Sequence, residues 1–223
     1  MKTPKKSMEI IIENQYENHY LDYPFIKECS DKIIQLKENG GGNLIVELPP
    51  RTSKTTFFAN AVPAWFSGNY PKENILIGSN LKESIQKFKS CIHTGRYDLC
   101  KVFSIIDRRY DLMIFDDPMK MNESKNSEVN KWFLESLLTR RQENCVTIIV
   151  MSRVLKNDIA GILRKEKDWN ILSYPMLSEK FANIKINPML RKHPNANINH
   201  ADHLKHTLGI NLFDAMYQQS PKK

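Results

Sequence analysis

The sequence predicts an α/β fold with a mainly parallel central sheet flanked by helices. Two observations predict it. Short runs that are apolar throughout, rather than alternating, recur along the chain between helical patterns, which is how strands buried on both faces read. Proline, glycine or paired aspartate follows these runs, and in such sheets ligands bind at the carboxyl ends of the strands. With 223 residues, 41% of them hydrophobic, the chain is sized for one main core.

Phe25, Ile26, Cys29, Ile33, Ile34 and Leu36 recur at helical spacing and predict a helix over 24–38, which Gly40-Gly41-Gly42 ends. A buried strand over 43–48 follows, then a loop, then a helix from Ser53 to about Trp65 that Pro63 interrupts near its end. Residues 74–78 form a second strand, leading to an amphipathic helix over 81–92. Residues 111–115 form a third, which ends abruptly in Asp116-Asp117-Pro118. A long helix runs from about Ser124 to Arg140, with Val129, Trp132, Phe133 and Leu137 on one stripe. At its end Arg140 and Arg141 complement the helix dipole, or contact DNA or a neighbouring subunit. Residues 146–151 are a fourth strand, Asn157 is placed to cap a short helix over 158–165, and 170–173 supply a fifth strand. Beyond about Leu177 the chain is loop-rich, and only 208–219 patterns as a closing helix. The expected organisation is an N-terminal extension (1–23), a core (24–176) and a C-terminal segment (177–223).

The net charge of +8 favours a polyanionic partner, since neutralising phosphates releases counterions. No run approaches the roughly 18 apolar residues of a membrane span, and the N-terminus lacks the apolar stretch of a secretory signal. A soluble, unexported protein is expected. Cys29, Cys91, Cys100 and Cys145 lie at irregular distances, which favours reduced thiols in a cytoplasm over a zinc knuckle or a disulfide framework.

Two stretches carry chemistry. Residues 48–55 read Leu-Pro-Pro-Arg-Thr-Ser-Lys-Thr between a strand and a helix. A phosphate loop needs backbone N–H groups at a helix N-terminus, a lysine for the terminal phosphates and a hydroxyl for magnesium, and Lys54 and Thr55 hold the last two positions. The glycines of G-x-x-x-x-G-K-[ST] fall on Leu48 and Ser53, so the strict pattern fails, and a Pro-Pro turn with an exposed lysine is the alternative. Asp116 and Asp117 at a strand tip are what a Walker B element requires: one carboxylate for the magnesium shell and one to polarise water. A solvated acidic loop is the alternative there. Two half-sites in the expected order favour a P-loop NTPase of the RecA/ASCE kind.

These residues resemble the ATPase domain of the large terminase subunit of tailed bacteriophages. Pro49-Pro50-Arg51-Thr52-Ser53-Lys54-Thr55 is similar to that family's Pro-Pro-Arg-x-Gly-Lys-Ser, and Ile114 to Lys120 to its Asp-Asp-Pro-x-Lys segment. Ser152-Arg153, followed by Asp158-Ile159-Ala160-Gly161, resembles its strand-end Thr-Arg and Asp-Leu-Ala-Gly, and Phe213 to Pro221 its closing Phe-x-Ala-x-Tyr-Gln-Gln-x-Pro. The resemblance implies ATP and Mg2+ as cofactors, held by Arg51, Thr52, Ser53, Lys54, Thr55 and Thr56, with Thr55 and Asp116 on the metal. It also implies Asp117 as the catalytic carboxylate, where many relatives have Glu, Arg51 as a sensor or finger on the γ-phosphate, and Ser152 and Arg153 as the element coupling nucleotide state to DNA movement. Double-stranded DNA, a portal protein, a small terminase subunit and a homo-oligomeric ring are the implied partners, in the host cytoplasm and away from membranes.

The chain departs from the family pattern in two places. Few residues separate 97–103 from the Walker B strand, where relatives insert further strands. The sequence stops at Lys223, where a nuclease domain would begin, so nuclease activity is not expected of this polypeptide. A degenerate P-loop module that binds DNA or a packaging partner without hydrolysis is the alternative function, and a helicase fragment a weaker one. His200, His203 and His206 recur every three residues, which suits either a metal on a helical face or an exposed polar turn.

Overall fold

The computed structural model describes residues 3–15, 24–79, 96–100, 108–118, 127–178 and 198–222. Their strands are β1 (Gly42–Glu47), β2 (Asn74–Ser79), β3 (Arg96–Cys100), β4 (Tyr110–Asp116), β5 (Arg141–Met151) and β6 (Trp169–Ser173). They form one sheet in the order β3-β2-β4-β5-β1-β6, and every pairing is parallel. The helices are α1 (Pro4–Gln15), α2 (Pro24–Glu38), a π-helical turn (Thr56–Ala61) running into α3 (Val62–Asn69), α4 (Ser127–Thr139), α5 (Ile159–Leu163), α6 (Ile198–Leu208) and α7 (Ile210–Gln218).

Period-two alternation explains why the strands read as apolar throughout. Leu44 and Val46 of β1, Leu112 and Ile114 of β4, and Ile148 and Val150 of β5 enter one core with Phe25, Phe57, Phe58 and Phe66. Ile45, Met113, Phe115, Ile149 and Met151 face the other way, into a core shared with Leu137, Ile159, Ala160 and Leu163. Each fully buried side chain of this size stabilises the fold by about 1.5–3 kcal/mol. Phe57 meets Phe25 edge-on at 5.9 Å and Phe58 at 4.9 Å, which pins the helix after the 48–53 loop against α2. The π turn and α3 also pack on α1. Cys29 and Cys145 are buried, and neither forms a disulfide among the described residues. Among the described residues no helix is long and apolar enough to cross a membrane.

Several boundaries differ from the sequence expectation, each for a physical reason. Pro63 does not break the helix, which starts at Lys54 and continues to Asn69. A proline lacks an N–H and its ring meets the carbonyl four residues back. Here the backbone widens into a π turn just before it, where Val62 N donates to Phe57 O, and Pro63 falls in the first turn of α3. Strand β5 begins at Arg141, so that arginine opens a strand instead of ending a helix. Arg141 pairs with Tyr110 across an irregularity in register, and the polar residues of 141–144 hid this extension. Strand β3 was not expected at all: it is a five-residue edge strand carrying Arg96 and Asp98, the composition that edges favour. Asp158, not Asn157, caps α5: its backbone is extended and its side chain accepts from Gly161 N at 2.9 Å. That helix ends at Leu163. Near the C-terminus the loop expected before residue 208 is helix α6, and Gly209, at φ 78°, separates it from α7. His203 and His206 are exposed on α6. The helix expected over 81–92, and the side chains of Val129, Trp132, Phe133 and His200, lie outside the described residues.

Candidate functional site

The site lies at the carboxyl ends of β1, β5 and β4, which are adjacent in that order. Leu48 extends β1 by donating its N–H to Met151 O at 3.1 Å, and Asp117 extends β4 by donating its N–H to Val150 O at 2.8 Å. The loop from Leu48 to Ser53 then turns into the helix beginning at Lys54. Thr52 is buried and its Oγ1 donates to Pro49 O at 2.9 Å, which closes the Pro-Pro turn on itself. Arg51 (φ 63°) and Ser53 (φ 60°) adopt left-handed backbone. Thr56, at the start of the π turn, is half-buried, and Arg51 is exposed at the loop tip.

The two half-sites read from the sequence meet. Lys54 is buried, and its Nζ lies 2.9 Å from Asp117 Oδ2 and donates to Ser152 Oγ at 2.9 Å. Thr55 Oγ1 donates to Asp116 Oδ2 at 2.5 Å. Ser152 Oγ donates to Leu48 O at 2.9 Å, and Ser152 N donates to Asp117 Oδ1 at 3.1 Å. Ser152 therefore touches both the end of β1 and the lysine.

Asp116 is almost wholly buried. Loss of water, and next the negative charge of Asp117, push its carboxyl up to about 7, against the pull of Lys54 and the Thr55 hydroxyl. Its Oδ1 has no hydrogen-bond partner among the described residues. A buried carboxylate with an orphaned oxygen, beside a second carboxylate and a hydroxyl, offers the hard oxygen donors that magnesium takes, so the residues fit that ion. Thr55 and Asp116 are the oxygens that would hold it.

Arg153 does something different from its neighbour. Only 2% exposed, it donates from Nε to both oxygens of Asp158 (2.9 and 3.0 Å), from Nη1 to Glu47 Oε1 (3.0 Å), and from Nη2 to the carbonyls of Leu155 (3.1 Å) and Lys156 (3.4 Å). Its backbone N–H donates to Gln219 Oε1 at 3.1 Å. Asp158 also accepts from Val154 N and Leu155 N, so one carboxylate organises the turn after β5. Sequence reasoning missed Glu47, Asp158 and Gln219 as members of this network. Glu47 had a signal: an acid in an otherwise apolar strand is a buried charge that demands a cation.

No protein-family model and no curated protein matches the sequence. Solved structures do. The large terminase of a thermophilic bacteriophage, in complex with ATP-gamma-S, matches with TM-score 0.53 at 10% identity, over 84% of this chain and 51% of that one. The Pyrococcus furiosus Hef helicase domain matches with TM-score 0.50 at 11% identity, over 68% and 38%. The parallel α/β fold of this chain is the one these two structures share. The HK97 bacteriophage large terminase is also similar, with TM-score 0.48 and 12% identity over 70% and 40% of the two chains. The fold likeness to the first of these structures, a large terminase, agrees with the resemblance read from the motifs. At these identities the likeness carries the fold alone, and the chain spans about half or less of the length of each of these structures.

Proposed function

We propose that this chain binds Mg-ATP at the carboxyl ends of β1, β5 and β4 and hydrolyses it as the ATPase of a viral DNA-packaging terminase, driving double-stranded DNA into a capsid. The observation that supports this best is the meeting of Lys54 and Thr55 with Asp117 and Asp116, although Thr55 and Asp116 are 61 residues apart in the chain. Lys54 exchanges Asp117 and Ser152 for the terminal phosphates, and the N–H groups of 51–56 cradle them at the helix N-terminus. Asp117, released from Lys54, orients the attacking water and takes its proton. Thr55 and Asp116 would hold magnesium, which would supply positive charge against that of the phosphates. Arg51, at the exposed loop tip, supplies positive charge to the γ-phosphate within the ring. Ser152 loses one partner when Lys54 moves, which makes it and Arg153 the coupling pair. The charge of +8 supports DNA as the polymer moved. A portal protein and a small terminase subunit complete the assembly, in the host cytoplasm.

A second reading, a P-loop module that binds DNA or a packaging partner without hydrolysis, is favoured by Ser53 and Arg51 in left-handed backbone where glycine would be unstrained. One assay separates the two: magnesium-dependent ATP binding and turnover, with and without DNA, for the wild type beside Lys54→Ala and Asp117→Asn. The ATPase reading expects Lys54→Ala to lose binding, and Asp117→Asn to keep binding while turnover falls by at least about 100-fold, the usual size of a general-base loss. A wild type that neither binds nor hydrolyses ATP sinks it.

A further inference from the structure

Strand β5 ends at Met151, and the next two backbone N–H groups are taken by side chains instead of by the sheet. Ser152 N donates to Asp117 Oδ1 at 3.1 Å, and Arg153 N donates to Gln219 Oε1 at 3.1 Å. Of two consecutive peptide groups, one is therefore bound to the candidate catalytic carboxylate and the other to the end of α7, 66 residues further along the chain. Lys54 fixes the same stretch, because its Nζ donates to Ser152 Oγ at 2.9 Å while also pairing with Asp117 Oδ2 at 2.9 Å. The two residues 152 and 153 are thus tied on one side to the nucleotide site and on the other to the C-terminal helix.

The end of α7 is shaped around this contact. Gln219 ends the helix in left-handed backbone (φ 55°, ψ 28°), a position that most often takes glycine or asparagine. It is buried there, with Oε1 on Arg153 N and Nε2 donating to Met216 O at 2.6 Å. Around it, Ser220 N donates to Asp214 O at 2.9 Å, and Met176 N donates to Tyr217 O at 2.7 Å. The middle of the helix is anchored separately by the buried side chains of Phe213 and Ala215. Its last turn can therefore loosen while the rest of α7 stays docked.

We infer that Gln219 is a positioning residue for nucleotide binding: it holds residues 152 and 153 in the arrangement where Ser152 and Asp117 engage Lys54, and the last turn of α7 is released when a nucleotide takes that lysine. This rests on the nucleotide-binding reading above. Phosphates that take Lys54 remove its bond to Ser152 Oγ, and an Asp117 that turns to water gives up Ser152 N as well. The stretch then loses the ties that hold Arg153 N in line with the amide of Gln219, so the contact to α7 weakens. Coupling of this kind is reciprocal: if nucleotide loosens the end of α7, then loosening that end must favour nucleotide.

The test uses the full chain with magnesium and a slowly hydrolysed ATP analogue. Hydrogen exchange of the backbone amides is followed over 214–220 and 174–178, with and without nucleotide, and nucleotide affinity is measured for wild type and Gln219→Gly. Exchange in wild type needs no substitution, and Gln219→Gly removes the amide while relieving the left-handed backbone, with folding checked by thermal melting. In wild type, saturating nucleotide is expected to speed exchange over 214–220 by about threefold to tenfold, the scale of one lost hydrogen bond. Gln219→Gly should bind nucleotide more tightly by a similar factor, and its exchange over 214–220 should be fast with or without nucleotide. A purely structural cap would raise exchange in the variant and leave affinity where it was. That result, weaker binding by the variant, or a wild type that binds nucleotide with no change in exchange over 214–220 overturns the role of Gln219 and leaves the nucleotide site standing. A wild type that binds no nucleotide overturns the site and this inference together.

Discussion

Ser53 places a Cβ on left-handed backbone at the point where the chain turns into the helix that begins at Lys54. That conformation costs an L-residue about 1–2 kcal/mol, and glycine nothing. The neighbouring contacts hold it: Thr52 is tied to Pro49 O, and Phe57 N donates to Ser53 O at 3.1 Å as the helix begins. Strain kept at such a place is a mark of a functional turn. Ser53→Gly is therefore expected to raise stability in urea unfolding by up to about 1 kcal/mol, less than the full strain because glycine also gains freedom in the unfolded chain. It should strengthen, or leave unchanged, the binding of a fluorescent ATP analogue. A loss of stability would show that the serine side chain contributes more than its backbone costs.

The elements show the same physics at larger size. The strands β1, β2, β4 and the second half of β5 were legible because burial on both faces makes them apolar throughout, and the Lys-Thr and Asp-Asp pairs stood out at their tips. Strand β3 and residues 141–145 were not, because an edge strand and a bulged extension carry polar residues that read as loop. The role of Arg153 was hidden too, since nothing local says that Glu47 and Gln219 arrive beside it from either side. The turn that follows it was half legible. Asp158 and Gly161 stood in the right motif, and the structure supplies the reason for both: the aspartate caps α5, and the glycine lets the Lys156 turn press onto the helix. A Cβ on Gly161 would sit 1.9 Å from Lys156 O and 2.8 Å from Arg153 Nη2. Gly161→Ala must displace the backbone that closes the Arg153 network, so a loss of about 2–3 kcal/mol is expected in denaturant unfolding. A loss under about 1 kcal/mol would mean that the turn relaxes freely, and that Arg153 does not depend on it.

At the scale of the whole molecule, the sheet order sets a conflict between stability and chemistry. Placing β5 between β1 and β4 gives both neighbours a parallel partner and brings their tips together, and with them Asp116, Asp117 and a single buried lysine. One cation faces two carboxylates, and Asp116 is almost wholly buried. Its carboxyl, ordinarily near 3.8, is therefore held up to about 7 in the folded chain. Between these two values the folded protein retains a proton that the unfolded chain releases, so the folded state binds more protons and stability falls as pH rises. This contribution is complete below about pH 4 and is lost progressively as pH passes through about 7. Asp116→Asn keeps the shape and removes the charge. In metal-free buffer it should flatten this part of the stability–pH curve and leave the variant more stable than wild type at pH 8, read by urea unfolding at a series of pH values. Magnesium with nucleotide should stabilise the wild type at pH 8 and do much less for Asp116→Asn, because the carboxylate that destabilises the empty site is the one that would meet the ion. If wild type and variant fall in parallel with pH, the strain at the strand tips lies elsewhere, and Asp116 is ionised in the fold without cost.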